Sequence, residues 1–286
     1  MGYLNCSETD IDCLMNKTAD EILMAQNNSS SELVSSNALT LGEQWGPYID
    51  GHIIKSQLLN VNDWLTNKFK LNPIIAGVTS GEGIGFVFGS EEIQNIEKKI
   101  PSISNTTSYK DAKTKLSKLV TDLLFTCSLN SFLNSYEKHQ KDVYTYLYDY
   151  PLDFDFRADE PYCKGFACHV VDMAYVFGNP NNLFSERGKL LSRQIMDYWT
   201  NFAKNSTPNS KENFTFAGKK YNNIKWPKYN PDTIKELVFT NTTNIIKKIQ
   251  KKTVCNINLN RYLEKIGEGF KLFKGMIKIF KYFFMV

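Results

Sequence analysis

The stretch Cys163-Lys164-Gly165-Phe166-Ala167-Cys168-His169-Val170-Val171-Asp172-Met173-Ala174-Tyr175-Val176-Phe177-Gly178 decides how the chain is read. Its first half is a loop carrying two cysteines and then a histidine, the side chain best suited to proton transfer near neutral pH. Just upstream, Val143-Tyr144-Thr145-Tyr146-Leu147-Tyr148 is β-branched and aromatic, a strand that Pro151 ends. Further back, Leu116, Leu119, Val120, Leu123, Leu124 and Cys127 step by three and four, predicting an amphipathic helix over Asp111 to Tyr136. Before it, Leu71 to Thr79 reads as a buried strand, and the Gly-rich bend Ser80-Gly81-Glu82-Gly83 puts Glu82 on a loop at the strand's C-terminal end. Downstream, Leu191, Ile195, Trp199 and Phe202 mark a helix, and Glu236 to Thr240 a last short strand. Residues 1 to about 40 form a short helical region through Leu14, Thr18, Ile22 and Leu23. Strands alternating with helices predict an α/β fold, with only about three strands.

Glu82 and His169 are the candidate chemical groups, since a carboxylate can fix an imidazole's tautomer and stabilise its charged form. Their spacing alone does not make them a pair. Longer strings carry more. Gly77-Val78-Thr79-Ser80-Gly81-Glu82-Gly83 resembles the strand-to-loop turn that bears the catalytic acid in type B carboxylesterases, the family of cholinesterases and neuroligins. The segment Cys163 to Gly178 is similar to the family's catalytic-histidine region, where His precedes an acidic residue and an aromatic-Val-Phe-Gly run. Leu191 to Lys204 with the later Trp226-Pro227 resembles the helix that follows, and Gly46-Pro47-Tyr48-Ile49-Asp50-Gly51 resembles an upstream G-P-x-x-D-G stretch. The resemblance covers residues 1 to about 262.

The resemblance implies the C-terminal part of an α/β-hydrolase fold, few strands with flanking helices, the N-terminal half of the sheet missing. It implies that Glu82 accepts the imidazole N–H and that His169 is general base and then general acid in a Ser-Glu-His mechanism on carboxylic esters. The nucleophile elbow G-x-S-x-G is absent from the sequence; Ser80 stands at the fourth place of Gly77 to Gly81, not the third. The Gly-rich oxyanion loop is absent as well, so the chain alone is expected to be inactive. Val170 departs from the family's glycine after the histidine and would be strained at a positive φ. Two other readings stand beside the esterase: a non-catalytic adhesion or interaction protein of the same fold, and a truncated remnant that does not fold stably.

Composition bounds the rest. A chain 42% hydrophobic and 22% charged can bury a core, and a net charge of +4 is too mild to imply a nucleic-acid partner. Residues 1–6 lack the basic and apolar regions of a signal peptide. N-x-S/T sequons nevertheless stand at Asn5, Asn16, Asn27, Asn28, Asn105, Asn205, Asn213 and Asn241, and the six cysteines are an even number. Together they point to a secreted or cell-surface glycoprotein whose true start lies upstream of Met1. Six cysteines allow 15 pairings; the resemblance implies Cys6 with Cys13 and Cys127 with Cys255, leaving Cys163 and Cys168 to pair around the histidine loop. A C-x4-C metal pair at Cys163 and Cys168 is the alternative, set aside because no second cysteine pair stands nearby; no metal and no cofactor are expected.

Residues 263–286 lie beyond the resemblance as a second, tail region. Phe270, Phe273, Ile277, Phe280 and Phe284 step by three and four opposite most of Lys271, Lys274, Lys278 and Lys281, a basic amphipathic helix suited either to docking on the fold or to peripheral contact with an anionic membrane. Small carboxylic esters, in the full-length form, are the expected substrates.

Overall fold

The computed structural model describes residues 2–7, 9–34, 51–53, 71–89, 94, 98, 107–154, 161–179, 181–210, 214–221, 223–241, 244–248 and 255. The tail 263–286, the sequons at Asn105 and Asn213, and all of the upstream G-P-x-x-D-G stretch but Gly51 lie outside them. The chain divides into two units, residues Met1–Tyr48 with Phe270–Val286, and Ile49–Gly269.

In the first unit, helix α1 (Ile11–Met15) is capped by Asp10, whose side chain accepts the Cys13 N–H at 2.9 Å, and the Cys6–Cys13 disulfide closes the turn before it. Helix α2 (Ala19–Val34) opens on a reciprocal cap: the Thr18 N–H donates to Glu21 Oε2 at 2.8 Å and the Glu21 N–H donates back to Thr18 Oγ1 at 3.3 Å. Those bonds from Thr18, with Lys17 alongside, hold the Glu21 carboxyl below its ordinary value. Among the described residues no helix is long and apolar enough to cross a membrane.

The second unit is built on β1 (Ile74–Thr79) and β2 (Val143–Asp149), which run parallel with Ile74 opposite Val143 and Thr79 opposite Tyr148. Parallel neighbours need a long crossover, here supplied by α3 (Glu82–Phe88), α4 (Thr107–Val120), a π turn (Thr121–Thr126) and α5 (Cys127–Glu137). The single helix expected over Asp111 to Tyr136 is thus continuous but wider in its middle. Next come α6 (Val171–Phe177), α7 (Glu186–Asn205) and a hairpin of β3 (Phe214–Phe216) and β4 (Lys219–Tyr221). Ala217 and Gly218 turn that hairpin with φ of 49° and 74°, the two positive values a two-residue turn demands. Strand β5 (Lys235–Thr240) then lies parallel to β2, and β6 (Ile245–Lys248) returns antiparallel to β5, giving the order β1-β2-β5-β6.

Alternation along the strands sorts the core. Tyr144 and Tyr148 with Leu237 and Phe239 pack against Tyr175 of α6, Leu191, Ile195 and Tyr198 of α7, and Trp226. On the other face Val143 and Ile74 meet Leu133 and Tyr136 of α5, with Tyr229 and Ile234. Helices therefore cover both faces, as an α/β sheet requires. The Trp226 indole N–H donates to the Thr145 carbonyl at 2.9 Å, and Asn209 grips the Trp226 backbone from both sides, at 2.7 and 2.9 Å.

The sheet corrects the expected count of about three strands. Among the described residues there are four sheet strands and a separate hairpin; β3, β4 and β6 are three or four residues long, too short for alternation to show.

A carboxylate at Asp153 locks the start of α7. It accepts from Tyr150 at 2.9 Å, Tyr175 at 2.7 Å, the Ser185 N–H at 3.0 Å and the Ser185 hydroxyl. Burial pushes this carboxyl up, but the bonds from Ser185, Tyr175 and Tyr150 outweigh it and hold it below its ordinary value.

Candidate active site

Strand β1 ends at Thr79, the chain turns through Ser80 and Gly81, and Glu82 is the first residue of α3. This corrects its expected place on a loop. Three glycines in Glu82-Gly83-Ile84-Gly85-Phe86-Val87-Phe88-Gly89 argue against a helix, yet burial of Ile84 and Val87 overrides that preference. Gly83 is needed where it stands: a Cβ there would run into the Ser117 carbonyl of α4, and the Gly83 N–H donates to Thr121 Oγ1 at 2.8 Å. Contact this close seats α3, and with it Glu82, against α4.

The histidine loop is tied to the same turn. The Gly81 N–H donates to the Ala167 carbonyl at 2.9 Å, Gly81 and Cys168 form a parallel bridge, and the Cys163–Cys168 disulfide closes the loop behind them. Cys168 is fully buried. His169 follows, and Val170 then takes φ 75° and ψ −8° as the residue before α6. The positive φ that a glycine would accept freely is thus adopted by a β-branched residue.

These constraints bring together the two residues singled out from the sequence. His169 Nδ1 lies 2.5 Å from Glu82 Oε2, while Glu82 Oε1 accepts the Thr79 N–H at 2.7 Å. Glu82 is 5% exposed and the His169 side chain 46%. The rings of Phe86 on α3 and Phe125 in the π turn stand 5.8 and 5.5 Å from the imidazole. Such wide turns recur at functional sites, and here one carries a wall of the histidine's surroundings. With Nδ1–H donated to the carboxylate, a neutral His169 carries its lone pair on Nε2, and the carboxylate stabilises the imidazolium that forms on proton uptake.

Ser80 takes no part in a nucleophile elbow: its hydroxyl donates to Asp149 Oδ1 at 2.6 Å. The sequence reading missed Asp172. Three residues after His169, its Oδ2 accepts the Tyr146 hydroxyl from β2 at 2.9 Å. Burial pushes the Asp172 carboxyl up, the Tyr146 bond pulls it back, and the charge of Glu82 adds to the rise. Its signal was the acidic residue at that short remove from the histidine; its partner on β2 left no local trace.

The remaining cysteines stand as Cys6–Cys13 and Cys127–Cys255, so all six are in disulfides. Of the sequons, Asn5, Asn16, Asn27, Asn28, Asn205 and Asn241 are exposed.

The model of the Carboxylesterase family matches residues 90–258, a span that holds His169 and starts after Glu82. Acetylcholinesterase 1 of Caenorhabditis elegans is 33% identical over 122 residues, 40% of this chain and 18% of that protein. The Crystal protein of Dictyostelium discoideum is 26% identical over 234 residues, 72% of this chain and 40% of that protein. The cAMP-regulated D2 protein of the same organism is 28% identical over 237 residues, 72% and 42% of the two. Among solved structures, PNB esterase superposes with a TM-score of 0.63 at 19% identity, over 89% of this chain and 51% of that one, a likeness of fold of the α/β-hydrolase type. The chain spans less than half the length of these relatives and about half of PNB esterase.

Proposed function

The chain belongs to the carboxylesterase family, and from that premise we propose that Glu82 and His169 are the acid and base of a carboxylic ester hydrolase. The observation that carries the reading is the 2.5 Å contact between His169 Nδ1 and a buried Glu82 carboxylate, formed across two crossovers of one sheet. In this reading His169 takes the proton of a seryl hydroxyl as it attacks the ester carbonyl and returns it to the departing alcohol, while Glu82 holds the tautomer and balances the imidazolium. No G-x-S-x-G occurs in the 286 residues, so the serine and its oxyanion donors come from a segment outside them, and these residues by themselves have no esterase turnover.

Three disulfides fit an oxidising compartment and the exposed sequons fit N-glycosylation, both favouring the secretory pathway. The phenylalanine and lysine stripes of residues 263–286 fit an amphipathic helix that docks on the fold, and equally suit peripheral contact with an anionic membrane.

The test uses the natural protein, recovered from its source with an antibody to residues 262–286, deglycosylated and treated with a fluorophosphonate that labels activated serines. The reading expects a polypeptide well above 32.8 kDa that takes the label and cleaves p-nitrophenyl acetate, and loses both in a recombinant His169→Gln form. An unlabelled band near 33 kDa would replace it with a non-catalytic interaction role, which the lack of an elbow motif already favours as the second reading.

A further inference from the structure

The parallel strands have two ends, and the acid–base pair occupies only one of them. Glu82 and the histidine loop lie where β1 and β2 finish, while the starts of β1, β2 and β5 gather at the opposite end, about 20 Å away at the ordinary rise of a seven-residue strand.

Lysines from separate elements meet at that far end. Lys138 follows α5 and Lys141 leads into β2, whose first residue is level with Ile74 of β1. Lys225 and Lys228 flank Trp226-Pro227, a segment laid across the start of β2 by the Tyr229 N–H, which donates to the Val143 carbonyl at 2.7 Å, and by the Trp226 indole bond to Thr145. Lys235 is the first residue of β5, and Lys247 lies opposite Glu236 in the returning β6. All six lysines are exposed. Of the acids there, Glu137 and Asp142 are held by Lys141 at 2.7 Å and Lys228 at 2.5 Å, Glu236 is half-buried and Asp232 is exposed.

Beyond Lys247 the chain reads Lys248-Ile249-Gln250-Lys251-Lys252, and residues 211–252 hold ten lysines against three acids, more positive charge than the net +4 of all 286 residues. The mild overall charge therefore conceals one basic region. A lysine on β6 guards a sheet edge and Lys138 suits a helix C-terminus, but neither reason reaches Lys225, Lys228 or Lys235. Among the described residues of these segments no large hydrophobic side chain is exposed, whereas a peripheral membrane binder buries an apolar face. Three disulfides fit an oxidising compartment, where the anionic polymers at hand are sulfated polysaccharides rather than nucleic acid.

We propose that this end of the sheet is a docking surface for a sulfated polysaccharide, held by lysine–sulfate pairs, with the Glu82–His169 end turned away from it. The surface stands independently of whether that pair hydrolyses an ester.

The experiment titrates a heparin octasaccharide into the full chain with ring-labelled histidine. His139 sits between Lys138 and Lys141, so its signals should move on binding while those of His169 stay; His139→Gln and His169→Gln assign them. Affinity should fall about tenfold or more between about 50 and 300 mM salt. Lys235→Gln combined with Lys247→Gln should weaken binding about tenfold, and Lys235→Arg with Lys247→Arg should retain it. Lys138→Gln with Lys225→Gln gives the same reading at positions outside the strands if the first pair does not fold. Glutamine at Lys271, Lys274, Lys278 and Lys281 of the tail should change affinity by less than about twofold. Binding lost in the tail variant but kept in both others overturns the siting, as does movement of His169 with His139 unmoved. Equal binding of an octasaccharide stripped of its sulfates overturns the ligand. Vesicles of equal parts phosphatidylcholine and phosphatidylserine that bind through Lys235 and Lys247, with no binding of the octasaccharide, replace the polysaccharide by a membrane.

Discussion

Cys168 and Gly81 face each other in one parallel backbone bridge, so the residues just ahead of His169 and Glu82 are held side by side by main chain. The geometry of the pair therefore does not depend on the His169–Glu82 bond alone. It is set one residue earlier on each strand of the chain, and the Cys163–Cys168 disulfide secures one half of it.

Replacing both Cys163 and Cys168 by alanine should lower stability by about 2 kcal/mol, the low end for a disulfide because the loop it closes is short. Urea unfolding gives the value, and amide exchange at Gly81 should quicken more than exchange in α7. Equal protection at Gly81 in both forms would show that the bridge stands without the disulfide.

Val170 pays a conformational cost at φ 75° that glycine would not. Val170→Gly should raise stability by about 1 kcal/mol, the relief of left-handed strain exceeding the added freedom of the unfolded chain. Val170→Ala, still an L-residue at positive φ, should gain less. A loss of stability in the glycine variant would mean that the partly exposed valine side chain matters more than its backbone.

Asp153 makes acid sensitivity local. Its folded carboxyl lies below the ordinary value of 3.8, so its stabilisation is complete above that value and is lost as pH falls through the lower, folded one. Asp153→Asn should cost about 1–3 kcal/mol at pH 7 through the broken bonds to Tyr150, Tyr175 and Ser185. The gap between variant and parent should close as the pH is taken down through the folded carboxyl's lowered value. A gap constant across that window would count against the carboxylate as its source.

Asp172 has the opposite sign. Its folded carboxyl lies above the ordinary value of 3.8, so ionisation costs stability, and the cost is complete once pH has risen past the folded value. Asp172→Asn should therefore match or exceed the parent's unfolding midpoint at pH 7 and lose that advantage in acid. A variant much less stable than the parent at pH 7 would instead make Asp172 a structural anchor.

Gly83→Ala should destabilise by about 2–3 kcal/mol, since the new methyl meets the Ser117 backbone rather than a side chain able to swing away. Calorimetric melting measures it, and a neutral result would mean that α3 can lift from α4.

What the sequence disclosed follows from how local each signal is. Strand β2 showed itself because Val143 to Tyr148 are all β-branched, aromatic or leucine, and α7 because Leu191, Ile195, Trp199 and Phe202 repeat at helical spacing. The strain at Val170 was legible too, as a departure from a glycine, and the structure gives it the positive φ. Helix α3 was hidden because its glycines mimic a bend, while the burial that makes it a helix comes from α4. Strand β6 was hidden by its length. The Tyr146–Asp172 bond joins a strand to a helix across the sheet face, and no window of sequence contains both. Glu82 and His169 were found by their resemblance to known strings, not by their spacing.

The strand order carries a kinetic consequence. Ile74 pairs with Val143 and Tyr146 with Leu237, both parallel, so each pairing must wait for many tens of intervening residues to find their place. Topologies dominated by such distant pairings cross their folding barrier slowly. Glu82 leads the first crossover and His169 sits inside the second, so their contact can close only after the central strand is seated. The pair is thus a late event on the folding route, formed only once both crossovers are in place.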